Sequence, residues 1–73
     1  MVDNIIQTEA YQPPVLNAQQ LADVLGISKS GAYQLLHREN FPTLRIGKRM
    51  LVPRDKLMLW IDRNTGGDYG IGQ

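Results

Sequence analysis

Two sets of side chains in this sequence can do chemistry. From Thr43 to Arg54 the chain carries Arg45, Lys48, Arg49 and Arg54 without one Asp or Glu. Earlier, Lys29, Ser30, Tyr33, Gln34 and His37 recur at intervals of three and four residues directly after Ser28, which sets them along one face of a helix. Ammonium and guanidinium groups form charge-assisted hydrogen bonds with anionic oxygens, and a Gln amide or Ser hydroxyl can both donate and accept. Such a set recognises a partner and does not make or break bonds. The alternatives lack their parts. His37 is the only histidine and cysteine is absent, so no metal site, cofactor or Ser/His/Asp triad is expected. Neither GxxxxGKS/T nor GxGxxG occurs, so nothing suggests a phosphate cradle or a small-molecule ligand.

Elements must hold these residues in place, and 73 residues allow one small domain. A domain of that size buries roughly 60% of the surface its unfolded chain exposes, which leaves little depth for a catalytic cleft, so no enzyme is expected. Without cysteine the fold depends on ordinary packing. The net charge of +1 is a modest credential for a partner of polyanions, but it averages over unlike segments. Residues 1–14 hold Asp3 and Glu9, no cation and no helical or strand period, and end in Pro13-Pro14; they read as a flexible arm. Residues 65–73 hold four glycines and Asp68, a composition that cannot repay the entropy of ordering, and read as a disordered tail. Residues 15–64 keep all eight cations against Asp23, Glu39, Asp55 and Asp62, a surplus of four. The part that folds is basic.

Within 15–64, Asn17 and Gln20 have capping-box spacing, so a helix should start at Ala18. Leu21, Ala22 and Leu25 form its apolar stripe, and Gly26 can end it in the left-handed conformation. Ser28 is a good N-cap for a second helix over about 29–39, with Ala32, Leu35 and Leu36 inward. Two short helices, a Gly-bearing turn and small residues at the crossing (Ala22 and Ala32) make a helix-turn-helix pattern. Pro42 ends the second helix. Leu44-Arg45-Ile46 and Met50-Leu51-Val52 then flank Gly47-Lys48-Arg49 as a β-hairpin. A three-residue loop would pair Ile46 with Met50 and Leu44 with Val52, placing all four on the core face. Arg45 would face outward, with Lys48 and Arg49 at the tip. Pro53 and Asp55 suit the start of a third helix, whose Leu57, Trp60 and Ile61 face inward to about Arg63, with Trp60 the largest core residue. The fold expected is mainly α with a small β-hairpin, a winged helix-turn-helix in the order helix, turn, helix, two-stranded wing, helix.

In that architecture the second helix lies in the major groove of double-stranded DNA. Lys29 can reach guanine O6/N7, Gln34 adenine N6/N7, and Ser30 a base or phosphate, with Ser28, Tyr33 and His37 beside them. Gly31 in the first turn would let the backbone approach DNA closely, or is tolerated there because it sits near the helix end. Arg45, Lys48 and Arg49, with Gly47 at the hairpin loop and Arg54 on its flank, should reach phosphates or an adjacent minor groove. Five phosphate-neutralising cations would give log K a slope near −4 to −5 against log[salt].

The run from Val15 to Ile61 resembles the excisionase-type, MerR-like winged helix-turn-helix family. The resemblance rests on LGIS (Leu25 to Ser28), RIGKR (Arg45 to Arg49), VPR (Val52 to Arg54) and Trp60. The chain differs from the usual pattern at Gly31, where Thr is common, and at Met50, where an aromatic is frequent. The resemblance implies an excisionase, or recombination directionality factor, of a mobile element or prophage. Such a protein binds and bends DNA near attachment sites and assists an integrase without performing strand chemistry. The same domain also serves small phage-type transcriptional regulators. No heptad run points to a dimerisation helix, so a monomer that self-associates only on DNA is expected. The sequence lacks both an apolar span of ~18 residues and a signal peptide, so the expected location is cytoplasmic, in a bacterial or phage-encoded setting, with no membrane partner.

Overall fold

The computed structural model describes residues 13–67; the rest of the proposed arm (1–12) and tail (68–73) lies outside the described residues. The chain runs β1 (Val15–Leu16), α1 (Ala18–Leu25), α2 (Lys29–Leu36), β2 (Leu44–Ile46), β3 (Arg49–Pro53) and α3 (Arg54–Asn64). Three helices and a small antiparallel sheet of order β1-β3-β2 make a winged helix-turn-helix.

α1 starts where its capping box predicts. Asn17 Oδ1 accepts from the Gln20 N–H at 2.8 Å, and Gln20 Oε1 accepts from the Asn17 N–H at 2.9 Å, satisfying two donors that a helix start leaves open. Gly26, at φ 69°, ends it. The Ile27 N–H then donates back to Ala22 O at 3.0 Å, the six-to-one bond of a Schellman turn. Ser28 Oγ accepts from the Gly31 N–H at 3.0 Å and so caps α2. Ala22 and Ala32, the small residues expected at the crossing, are both buried.

α2 ends at Leu36, earlier than the expected 39. Arg38 and Glu39 are good helix formers, but tertiary contacts override them. Phe41 is buried in the core, and the Thr43 hydroxyl donates to Leu36 O at 2.7 Å, which turns the chain back.

The hairpin corrects the expected register. Leu44 pairs with Leu51, Arg45 with Met50 and Ile46 with Arg49, so the loop is the two-residue Gly47-Lys48 and not the three-residue Gly47-Lys48-Arg49. Gly47 has φ 58° while no non-Gly residue has positive φ among the described residues. A positive φ at only the first central position belongs to a II′ turn, which favours glycine there and matches the strand twist. The apolar set is therefore divided. Met50 and Val52 point to the core side, and Leu44, Ile46 and Leu51 to the other. Arg45 moves to the Met50 face yet stays exposed, because β2 is the outer strand.

The two-residue β1 carries no readable period, and it pairs Val15 with Pro53 and Leu16 with Val52. Just before it, Pro14 O accepts from the Arg54 N–H at 2.8 Å, which ties the end of the proposed arm to the domain. At the other end, Thr65 Oγ1 donates to Ile61 O and the Gly67 N–H donates to Asn64 O, so the first tail residues close α3.

Leu16, Leu21, Leu35, Leu36, Val52 and Leu57 are the largest fully buried side chains. Trp60 is not the centre of this core. It is half-buried at the margin and packs edge-on against Phe41, with ring centroids 4.9 Å apart at 71°. No described polar or charged residue is buried, as expected of a domain too small to desolvate a charge.

Candidate nucleic-acid interface

α2 turns Gly31, Ala32, Leu35 and Leu36 into the core. Lys29, Ser30, Tyr33, Gln34 and His37 are exposed on its opposite face, with Ser28 exposed at the cap. Gly31 is buried on the inner side of the helix, and its N–H donates to Ser28 Oγ.

Several of these exposed side chains are already engaged locally. Ser28 and Ser30 share a 3.4 Å hydroxyl contact. His37 Nδ1 lies 2.8 Å from Tyr33 O, and because a carbonyl only accepts, Nδ1 carries the proton. That ring closes the last turn of α2 and has one nitrogen left for a partner.

β3 carries the wing back toward the helices. Arg49, Met50 and Leu51, with Lys48 of the turn, form one wall of a cleft of about 310 Å³. Lys29 and Tyr33 of α2 form another, and Asn17, Ala18 and Gln19 at the start of α1 complete it. Residues far apart in sequence thus bring Lys29, Lys48 and Arg49 to one depression. Arg45 is exposed on the neighbouring strand and Gly47 at the tip.

Arg54 stands apart. It is half-buried at the first position of α3 and lines a different groove, with Pro13, Leu16, Gln20, Asp23, Val24 and Met58. Its Nε is enclosed without a hydrogen-bond partner among the described residues.

Asn17, Ala18 and Gln19 were not singled out from sequence as part of this surface. Their signal was the capping box itself, since a helix start leaves N–H donors facing outward. No group of three or more His, Cys, Asp or Glu able to hold a metal occurs among the described residues, and none of their helices is long and apolar enough to cross a membrane.

The cleft joins cations from two elements beside an exposed helix face that carries hydrogen-bonding side chains. On a duplex, phosphate contacts position a protein while contacts to base edges carry sequence choice. A model of the family described as "Helix-turn-helix domain" matches residues 15–65, which takes in every described element. No curated protein and no solved structure gives a significant match. The chain belongs to the helix-turn-helix domain family and is a DNA-binding helix-turn-helix protein.

Proposed function

We propose that this protein is an excisionase or recombination directionality factor of a mobile element or prophage. It binds DNA near an attachment site, bends it and favours excision by an integrase, which performs the strand chemistry. α2 lies in the major groove, where Lys29, Ser30 and Gln34 face base edges and Ser28, Tyr33 and His37 face the groove walls. Arg45, Lys48 and Arg49 engage phosphates at the adjacent minor groove.

The observation that carries the reading is the convergence of Lys29, Lys48 and Arg49 on one cleft beside the exposed face of α2. Its basic wall has no acid nearby in sequence, since none occurs between Glu39 and Asp55. The link to excision adds the RIGKR and VPR runs, which occupy the hairpin and the start of α3.

Footprinting of the DNA that flanks the gene, with and without the neighbouring integrase, tests this. Repeated protected sites at an element end, strengthened by integrase, are expected. Protection of a promoter alone would instead make the protein a small transcriptional regulator. No protection at low salt would overturn both readings. If the double variant Lys29→Ala with Arg49→Ala binds DNA as tightly as the parent, this surface serves a protein partner instead.

A further inference from the structure

Ile46 is the most exposed of the large apolar side chains described, at 55%. It is the last residue of β2, next to the Gly47-Lys48 turn, with Arg45 before it and Arg49 as its cross-strand partner on the same face. Its place on the outer side of the hairpin is a consequence of the II′ turn, so the core has no claim on it. A single exposed apolar residue needs no explanation, but this one sits beside the hairpin turn among three cations.

Those surroundings select the partner. An apolar protein surface would meet Arg45, Lys48 and Arg49 only with matching acids, and would desolvate them at a cost. The DNA minor groove supplies both requirements at once: phosphates line its rims, and deoxyribose carbons and base edges lie between them. Hairpin strands are about 4.8 Å apart before side chains are added, and the ordinary minor groove is about 6 Å wide. A hairpin tip therefore enters only where the groove opens. Apolar side chains between base steps do this elsewhere, and they bend the duplex toward the major groove.

We infer that Ile46 is an apolar wedge that enters the minor groove next to the α2 site, holds it open and bends the DNA, with Arg45, Lys48 and Arg49 fixing the phosphates on either side. This rests on the DNA-binding reading given above. Its consequence is sequence preference without hydrogen bonding: the step under the wing should be a flexible TA or CA/TG step, where unstacking costs least.

The test uses the full 73-residue chain and a duplex that the parent protein selects from a randomised pool. Binding is read by fluorescence anisotropy and bending by energy transfer between the duplex ends. Ile46→Ala should weaken binding roughly five- to tenfold, about the loss from uncovering part of an aliphatic side chain. It should also reduce the bend and flatten the preference at the step under the wing, with the salt slope and the melting temperature of the free protein unchanged. Equal affinity and bend for parent and variant would overturn the wedge while leaving DNA binding intact. A loss seen only as weaker cooperativity between copies on a two-site duplex would overturn it in favour of a protein contact. A parent chain that selects no duplex would overturn the DNA reading and the wedge together.

Discussion

The division of the basic residues between two grooves has a measurable consequence in the salt dependence of DNA binding. Lys29, Arg45, Lys48 and Arg49 are exposed on α2 and the wing, whereas Arg54 is half-buried in a separate groove beside Asp23. Each phosphate neutralised adds about 0.9 to the slope of log K against log[salt]. Four contacts then give about −3.6, and affinity should fall about 150-fold between roughly 50 and 200 mM salt. Counting all five cations gives about −4.5, the value the sequence alone suggests. Arg49→Gln should bring the slope to about −2.7, a fall of about 40-fold over the same range. Arg54→Gln should leave it unchanged. Anisotropy titrations at five or six salt concentrations resolve these values, and thermal melts of both variants control for folding. A slope that drops for Arg54→Gln and holds for Arg49→Gln would place the interface on the α1–α3 side and refute the assignment. A flat response in the parent chain would refute DNA binding by these cations altogether.

The remaining predictions concern the scaffold. A Cβ at Gly26 would meet nothing within 4 Å, so Gly26→Ala should cost only the left-handed backbone penalty, about 1–2 kcal/mol. That should appear as a lower thermal midpoint, and an unchanged midpoint would show that the turn does not hold φ positive there. Leu57 is 0% exposed, and Leu57→Ala should cost about 2–5 kcal/mol. In a domain of this size that is a large part of the whole stability, so circular dichroism should show a broad or absent transition. A loss below about 1 kcal/mol would mean that α3 is not docked on the core.

The features legible in the sequence were those with local causes. The capping box at Asn17 and Gln20, the glycine at 26 and the cap at Ser28 involve residues no more than five apart, and the structure has each of them. What sequence could not supply was set by distant partners. The stop of α2 depends on burying Phe41, and the burial of Gly31 depends on how α2 packs. Trp60 has the spacing of a core residue, yet it is only partly buried and packs against Phe41 at the margin of the core. Of the site, the exposed side chains of α2 followed from helical period. The cleft did not, since it needs the wing to fold back toward Lys29 and the start of α1.

The hairpin shows why alternation misled. Placing Leu44 and Ile46 on the core face assumes that the core extends to β2, but β2 is the outer strand, and in the strand next to it only Val52 is fully buried. The three helices, with Leu16 of β1, already close the core around that one residue. With no core to reach, burial has no hold on the register of β2, and the turn decides it. Gly47 at the first central position favours the two-residue II′ loop, which puts Ile46 opposite Arg49 near the tip. The same absence of core contacts leaves Leu44, Arg45 and Ile46 of β2 exposed. A short anchored strand carrying a basic tip is an arrangement that serves contact with a groove better than it serves stability, and the cost is small because few apolar residues had to leave the core.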